Sequence, residues 1–290
     1  MATPGPARRM NDTPLWRWLR ARRYALPQQA GGWLPAPDVA AGARIAWRLS
    51  RRGIAVTLGY FQGDADGADA IVAAYGRIAA TPLPPGSYLS VKAPPLGFCS
   101  QRLRRIAEAG AAAGLPVLLD AHAPADADAT LAALAALLPD FPDSGIALPA
   151  RWRRSAADAA RLSGTSARIR VVKGEWADPL CDAADGDAAY LTLIDALAGR
   201  AAPVAVATHK PALTAAALDR LLAAGTPCEL EQLRGLPGRR TLAAARTRGV
   251  GTRLYVPLGP GWWPYAIDKA LARPHLPLWY LRDRIGLADR

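Results

Sequence analysis

Eight short runs of β-branched and aliphatic residues recur along this chain, and between successive runs lies an alanine-rich stretch with helical spacing. The runs are 54–60 (IAVTLGY), 88–92 (YLSVK), 116–120 (PVLLD), 145–149 (GIALP), 169–173 (IRVVK), 203–208 (PVAVAT), 227–231 (PCELE) and 253–257 (RLYVP), starting roughly 24 to 34 residues apart. Runs this short and this apolar belong in a parallel sheet covered on its outer face. The intervening helices are expected over 68–80, 100–113, 126–138, 155–162, 187–198, 211–223, 239–247 and 264–272. Pro211 and Pro264 suit a first helical turn, and Gly114 and Gly225 suit the position just past a helix end. Eight such β/α units predict a (β/α)8 TIM-like barrel. An open doubly wound sheet is the competitor, but the loop after the first run (FQGDADGAD) lacks a dinucleotide fingerprint, and no phosphate-binding P-loop occurs. The expected organisation is an N-terminal basic extension over 1–45, partly helical, followed by one barrel domain over 46–290.

Composition narrows the function. The formal net charge is +12, yet no run of five or more like charges occurs, so a dedicated nucleic-acid surface is not expected. Of the 36 basic residues only four are lysines: Lys92, Lys173, Lys210 and Lys269. Cys99, Cys181 and Cys228 are too far apart for a metal motif or a disulfide framework, and the three histidines form no zinc spacing, so no metal is expected. A reducing cytoplasm is the expected compartment. The segment 14–24 (PLWRWLRARRY) interleaves aromatics with arginines, as an interfacial helix does, which allows a peripheral membrane contact.

In a barrel of this kind, polar residues at the C-terminal ends of strands converge on the active site. The strand ends here are unusually polar: Lys92, then Asp120 with His122, then Arg170 and Lys173, then Thr208 and His209, then Glu229, Glu231 and Gln232, and finally Tyr255. A purely structural reading pairs Glu229 with Arg170 inside the barrel.

Six strings appear in a fixed order: SVKAPPLG at 90–97, LLDAHAP at 118–124, IRVVKGEW at 169–176, VATHK at 206–210, ELEQLRGL at 229–236 and RLYVPLGPGWWPYAIDKAL at 253–271. Together they resemble the proline dehydrogenase family over about residues 45 to 285. The resemblance implies a distorted (β/α)8 barrel that binds FAD, oxidises L-proline or a related secondary amine to the imine, and passes electrons to a membrane quinone. It assigns Asp120 and Arg170 to catalysis, with Arg170 beside the reacting edge of the flavin. It assigns Ala121, Lys173, Gly174, Glu175, Thr208, His209 and Glu231 to the cofactor, and Lys92, Trp176, Tyr255, Tyr265, Asp268 and Lys269 to the substrate. The chain departs from the family pattern where adjacent arginines clamp the substrate carboxylate; here Asp268 and Lys269 stand. Lys269 keeps a point charge without the fork geometry, and Asp268 repels a carboxylate. Trp176 replaces a tyrosine, Pro149 a glutamine and Glu231 a glutamine. The alternative reading these departures support is a catalytically degenerate barrel that serves as a binding or regulatory protein.

Overall fold

The computed structural model describes residues 37–178, 182–183 and 185–272, with side chains to residue 267. Segment 14–24, and the side chains of Asp268 and Lys269, lie outside the described residues.

Eight strands close into an all-parallel barrel in chain order, β1 to β8, with β8 returning to pair with β1. They are β1 (Ile54–Tyr60), β2 (Tyr88–Val91), β3 (Val117–Leu119), β4 (Gly145–Pro149), β5 (Arg168–Val172), β6 (Val204–Ala207), β7 (Cys228–Leu233) and β8 (Gly251–Leu258). Helix α1 (Val39–Ser50) precedes β1. The others follow their strands: α2 (Ala68–Ala79), α3 (Ser100–Ala112), α4 (Ala127–Leu137), α5 (Ser155–Arg161), α6 (Gly186–Leu197), α7 (Pro211–Ala223), α8 (Arg239–Thr247) and α9 (Trp262–Ala272). The barrel expected from the periodicity is therefore the fold observed.

Side chains alternate between the two faces of a strand, and each face has its own chemistry here. Outward positions such as Val56, Leu58, Leu89, Val91, Ile169, Val171, Val204 and Val206 are fully buried, forming with the helices the main apolar core. Inward positions are largely polar. Arg168 and Arg170 on β5 face Glu229 and Glu231 on β7, with Arg253 and Tyr255 on β8 and Ser90 on β2 completing the ring.

The helix ring is irregular at one place. Helix α1 packs on the outside of β1 and β8, where Gly42 lies so close to Leu258 that a Cβ would meet its methyl at 2.5 Å. The chain leaving β8 stays tied to the end of β1: the N–H of Phe61 donates to Leu258 O at 2.8 Å, and that of Gly261 to Phe61 O at 3.0 Å. Gly259 makes the turn with φ +92°, a left-handed conformation that glycine tolerates. This tether brings the start of α9 to the barrel mouth, where the rings of Trp262 and Tyr265 lie 5.3 and 5.1 Å from that of Phe61. Among the described residues no helix is long and apolar enough to cross a membrane.

Candidate active site

A cavity of about 750 Å³ opens at the C-terminal mouth of the barrel. It exists because inward positions on two adjacent layers are small: Ala147 on β4 and Ala207 on β6 stand where branched residues normally fill a barrel. Its floor is a buried ionic cluster drawn from four strands.

Arg170 is the centre of that cluster and is 5 % exposed. One guanidinium nitrogen donates to Glu231 Oε1 at 3.0 Å. The other donates to Asp120 Oδ1 and to Ser90 Oγ, and the Ser90 hydroxyl itself donates to Asp120 Oδ1 at 2.7 Å. The second oxygen of Asp120 accepts from the Tyr255 hydroxyl at 3.3 Å and lies 3.7 Å from Lys92 Nζ. Lys92 also donates to Tyr60 O at 3.4 Å and sits 3.8 Å from the centre of the Phe61 ring. Tyr255 reaches this position only because Gly59 has no side chain: a Cβ there would coincide with the tyrosine hydroxyl.

The electrostatics follow from this geometry. Burial works against the charge on Arg170, but Glu231 and Asp120 outweigh it and hold the guanidinium more firmly charged than usual. Burial would likewise raise Asp120, yet Arg170 and Lys92 pull it below the ordinary carboxylate range. Glu231 is lowered in the same way against its burial, by Arg170 and then Arg253 and Arg168. Lys92 moves the other way. Burial lowers it below the usual lysine value, and Arg170 adds to that against the opposing pull of Asp120. Burial, followed by the Asp120 charge, raises Tyr255 well above the usual phenol value, so its hydroxyl stays protonated at neutral pH.

Around the mouth, Trp176 is exposed at 44 % and stacks on His122, ring centres 5.1 Å apart and planes 26° apart. Helix α9 reaches across through Tyr265, whose hydroxyl donates to Glu175 Oε2 at 2.8 Å. Gly174 takes φ +94°, and a Cβ there would press on Pro149 and Arg151 at 2.8 Å, so this turn of the β5–α6 connection requires glycine.

Of the six substrate residues expected from the sequence, the four whose side chains are described, Lys92, Trp176, Tyr255 and Tyr265, line the cavity, as do Asp120 and Arg170. So do Ala121, Gly174, Glu175, His209 and Glu231. Lys173 and Thr208 are not on its wall. The Thr208 hydroxyl accepts from the N–H of Lys210 at 3.2 Å, and its carbonyl accepts from Gln232 Nε2 at 3.0 Å. His209 bridges two segments: Nδ1 meets Pro237 O at 2.6 Å, and Nε2 accepts from the N–H of Leu233 at 3.3 Å. Glu229 does not meet Arg170. It binds Arg168 and Arg253 one layer deeper, and Glu231 takes Arg170 instead. Phe61 and Gln62, not among the expected site residues, also line the cavity; their position just past the end of β1 is the available signal. The His122–Trp176 stack carries no sequence signal, because its members come from different β/α units.

No protein-family model and no curated protein sequence matches the chain. Solved structures do. Proline utilization A from Bdellovibrio bacteriovorus inactivated by N-propargylglycine is similar with a TM-score of 0.72 at 19% identity, covering 85% of this chain and 32% of that one. Proline utilization A from Corynebacterium freiburgense gives 0.69 at 19% identity, covering 92% of this chain and 34% of that one. The chain therefore spans about a third of the length of these proteins. The likeness is one of fold, an eight-stranded parallel barrel with helices between its strands.

Proposed function

We propose that the chain is a flavin-dependent dehydrogenase of the proline dehydrogenase type, which oxidises L-proline or a related cyclic secondary amine to the imine. The observation that carries this reading is the convergence of Lys92, Asp120, Arg170 and Tyr255 on the floor of one mouth cavity of about 750 Å³. Such a volume lies in the range of cofactor sites. The similarity of the barrel to proline utilization A proteins supports the same reading at the level of fold.

The residues present fit a flavin. Ala147, Ala207, Val172 and Leu233 offer apolar lining, and Arg170 offers a fixed cation with one buried donor, Nε, that has no acceptor among the described residues. The N-terminus of α7, with Pro211 in its first turn and His209 on the cavity wall just before it, offers a positive helix end for phosphate. Arg170, Gly174, Glu175, His209 and Glu231 would hold the cofactor, with Ala121, Lys173 and Thr208 flanking them. When bound, a flavin supplies the hydride acceptor.

The chain's own residues do the rest. Lys92 and Asp120 orient the substrate nitrogen, with burial holding Lys92 below the usual lysine value against the opposing pull of Asp120. Arg170 holds positive charge where electron density accumulates, and its two carboxylate partners keep it from moving. Tyr255 presents a protonated hydroxyl to Asp120, while Trp176, Tyr265 and Phe61 limit water at the mouth. The electron acceptor in this proposal is a membrane quinone, met by a cytoplasmic protein at the membrane surface.

The test is spectroscopic. Purified protein, as isolated or after incubation with FAD, is expected to show flavin absorbance that bleaches anaerobically with L-proline or with a cyclic amine lacking the carboxylate. A folded protein that takes up no flavin overturns the proposal and leaves the degenerate-barrel reading.

A further inference from the structure

Helix α1 differs from the rest of the helix ring in the use of its surface charge. Elsewhere in the ring, an arginine on or just past one helix bonds to an aspartate of the helix before it. Arg102 meets Asp69 at 3.0 Å, Arg220 meets Asp195 at 2.6 Å and Arg248 meets Asp219 at 2.6 Å. Helix α1 and the turn that ends it carry Arg44, Arg48, Arg51 and Arg52, all exposed. None of them makes an ion pair among the described residues. Over residues 38–52 the one acid is Asp38. It lies at the other end of the helix and caps it, accepting from the N–H of Ala41 at 2.6 Å.

Spacings of three and four residues put these arginines on one face. The opposite face, Gly42, Ala43, Ala46 and Leu49, is buried against β1 and β8. Trp47 stands within the arginine stripe and is 41 % exposed. Its indole N–H already donates to Pro82 O at 3.1 Å, so the rest of the ring offers apolar surface alone. Such a ring leaves water without stranding a polar group. Pro82 and Pro85, in the loop that accepts this bond, are exposed as well.

The remaining parts of the chain do not supply the missing acid. Residues 1–36 hold six arginines against one aspartate, and residues 273–290 hold four arginines against two aspartates. A second copy docking through this face would bring the same arginines and repel. The partner is therefore anionic and external. A nucleic acid would engage the arginines and leave Trp47 unused. An anionic bilayer engages both, the arginines at its headgroups and the indole at the boundary where tryptophan is favoured.

We infer that the outer face of α1, with Arg44, Trp47, Arg48, Arg51 and Arg52, is a docking surface for an anionic lipid bilayer, with the Trp47 ring at headgroup level. The contact forms with or without a flavin, so it stands or falls separately from the oxidoreductase reading.

The probe is a pair of vesicles, phosphatidylcholine alone or with about 30 % phosphatidylglycerol, sedimented with the full chain. Binding is expected with the anionic vesicles only, and it falls as salt rises. Each arginine near such a surface contributes roughly fivefold to partition, so changing Arg44, Arg48, Arg51 and Arg52 together to Gln is expected to weaken binding roughly a hundredfold or more. Changing Arg102, Arg104, Arg220 and Arg248 to Gln removes the same charge from paired arginines and should weaken binding less than about tenfold. Lipids with brominated chains quench an inserted indole, so part of the quenching seen in wild type should be missing in Trp47→Phe protein, which keeps all the arginines. Absence of binding to anionic vesicles, equal binding to phosphatidylcholine alone, equal losses in the two arginine variants, or unchanged quenching in Trp47→Phe overturns the inference. So does capture of a short single-stranded RNA in place of the anionic vesicles, which would make this face a nucleic-acid surface.

Discussion

Replacing Arg170 with methionine removes the one cation that Glu231 and Asp120 share. The guanidinium is 5 % exposed and bonded to both carboxylates and to Ser90. Breaking a buried ion pair from one side costs about 3–5 kcal/mol, because the charge left behind has lost its compensation. Glu231 retains the more distant Arg253 and Arg168, and Asp120 retains Lys92, so the lower part of that range applies to each carboxylate and the whole range to the pair. At roughly 2–4 °C per kcal/mol for a domain of this size, Arg170→Met is expected to lower Tm by roughly 10 °C near neutral pH.

The pH dependence fixes the sign. Both carboxylates have folded-state pKa values below their unfolded ones. The stability they contribute is therefore complete above the unfolded values of about 4 and is lost as pH falls through the lowered folded values. In Arg170→Met, burial is no longer fully opposed and both groups move up, so the variant gains relative stability as pH falls and protons neutralise them. The gap between wild type and variant, measured by urea unfolding at about pH 7.5 and again near pH 5, should narrow at the lower pH. A second substitution, Glu231→Gln, should restore part of the loss at neutral pH. A gap below about 1 kcal/mol, or one that does not change with pH, would refute the buried cluster as the element that orders the cavity floor.

Three further outcomes are expected. Gly59→Ala places a methyl on the Tyr255 hydroxyl and should cost about 1–3 kcal/mol by overpacking, a cost partly relieved by adding Tyr255→Phe; equal costs in the two backgrounds would contradict the contact. His122 is held below its usual 6.5 by burial, so its neutral form is favoured in the folded state and that contribution is lost as pH falls through the lowered value. The difference in tryptophan fluorescence between wild type and His122→Phe, which isolates the Trp176 stack, should titrate with a midpoint below 6.5. Glu229→Gln leaves Arg168 and Arg253 buried without their shared partner and should cost about 3 kcal/mol, yet ligand affinity at the mouth should not change, because Glu229 does not line the cavity.

The fold was legible because it rests on local signals. The β1 and β4 runs are bounded as the sequence predicts, at Ile54–Tyr60 and Gly145–Pro149. Strand β8 starts two residues early, at Gly251, because its pairing with β1 runs from Ile54↔Thr252 to Tyr60↔Leu258; a glycine and a threonine gave no apolar signal there. Strand β7 runs on through Gln232 and Leu233 because β8 supplies partners as far as Tyr255. What the sequence does not reveal is stagger. Adjacent strands of a closed barrel are offset by its shear, and that offset decides whether Glu229 or Glu231 stands level with Arg170. Neither residue type nor spacing contains it. The role of α1 is hidden for a similar reason: the tether at Phe61, Gly259 and Gly261 draws α9 to the mouth, and only then does the outer groove of β1 and β8 need a helix from elsewhere.

The stagger also explains why two arginine–glutamate pairs occur where one would supply a cation. Positions 168 and 170 on β5, and 229 and 231 on β7, are two residues apart, so each set faces inward in successive layers. In the lower layer Arg253 joins Arg168 on Glu229 and also donates to Val56 O and Gly86 O at 2.7 and 2.8 Å, binding β8 to β1 and to the approach to β2. Tyr88 is flanked by both of these guanidiniums, at 4.8 and 4.5 Å from its ring centre. That layer closes the barrel with charged groups bonded to one another and, through Arg253, to backbone. The upper layer leaves Lys92, one oxygen of Asp120 and the Tyr255 hydroxyl at the cavity floor. A barrel filled throughout with aliphatic side chains would be as stable, but it would have no fixed charges at that depth. The lower pairs hold the strands at the spacing that the upper cluster requires, and the upper cluster is where that order is used.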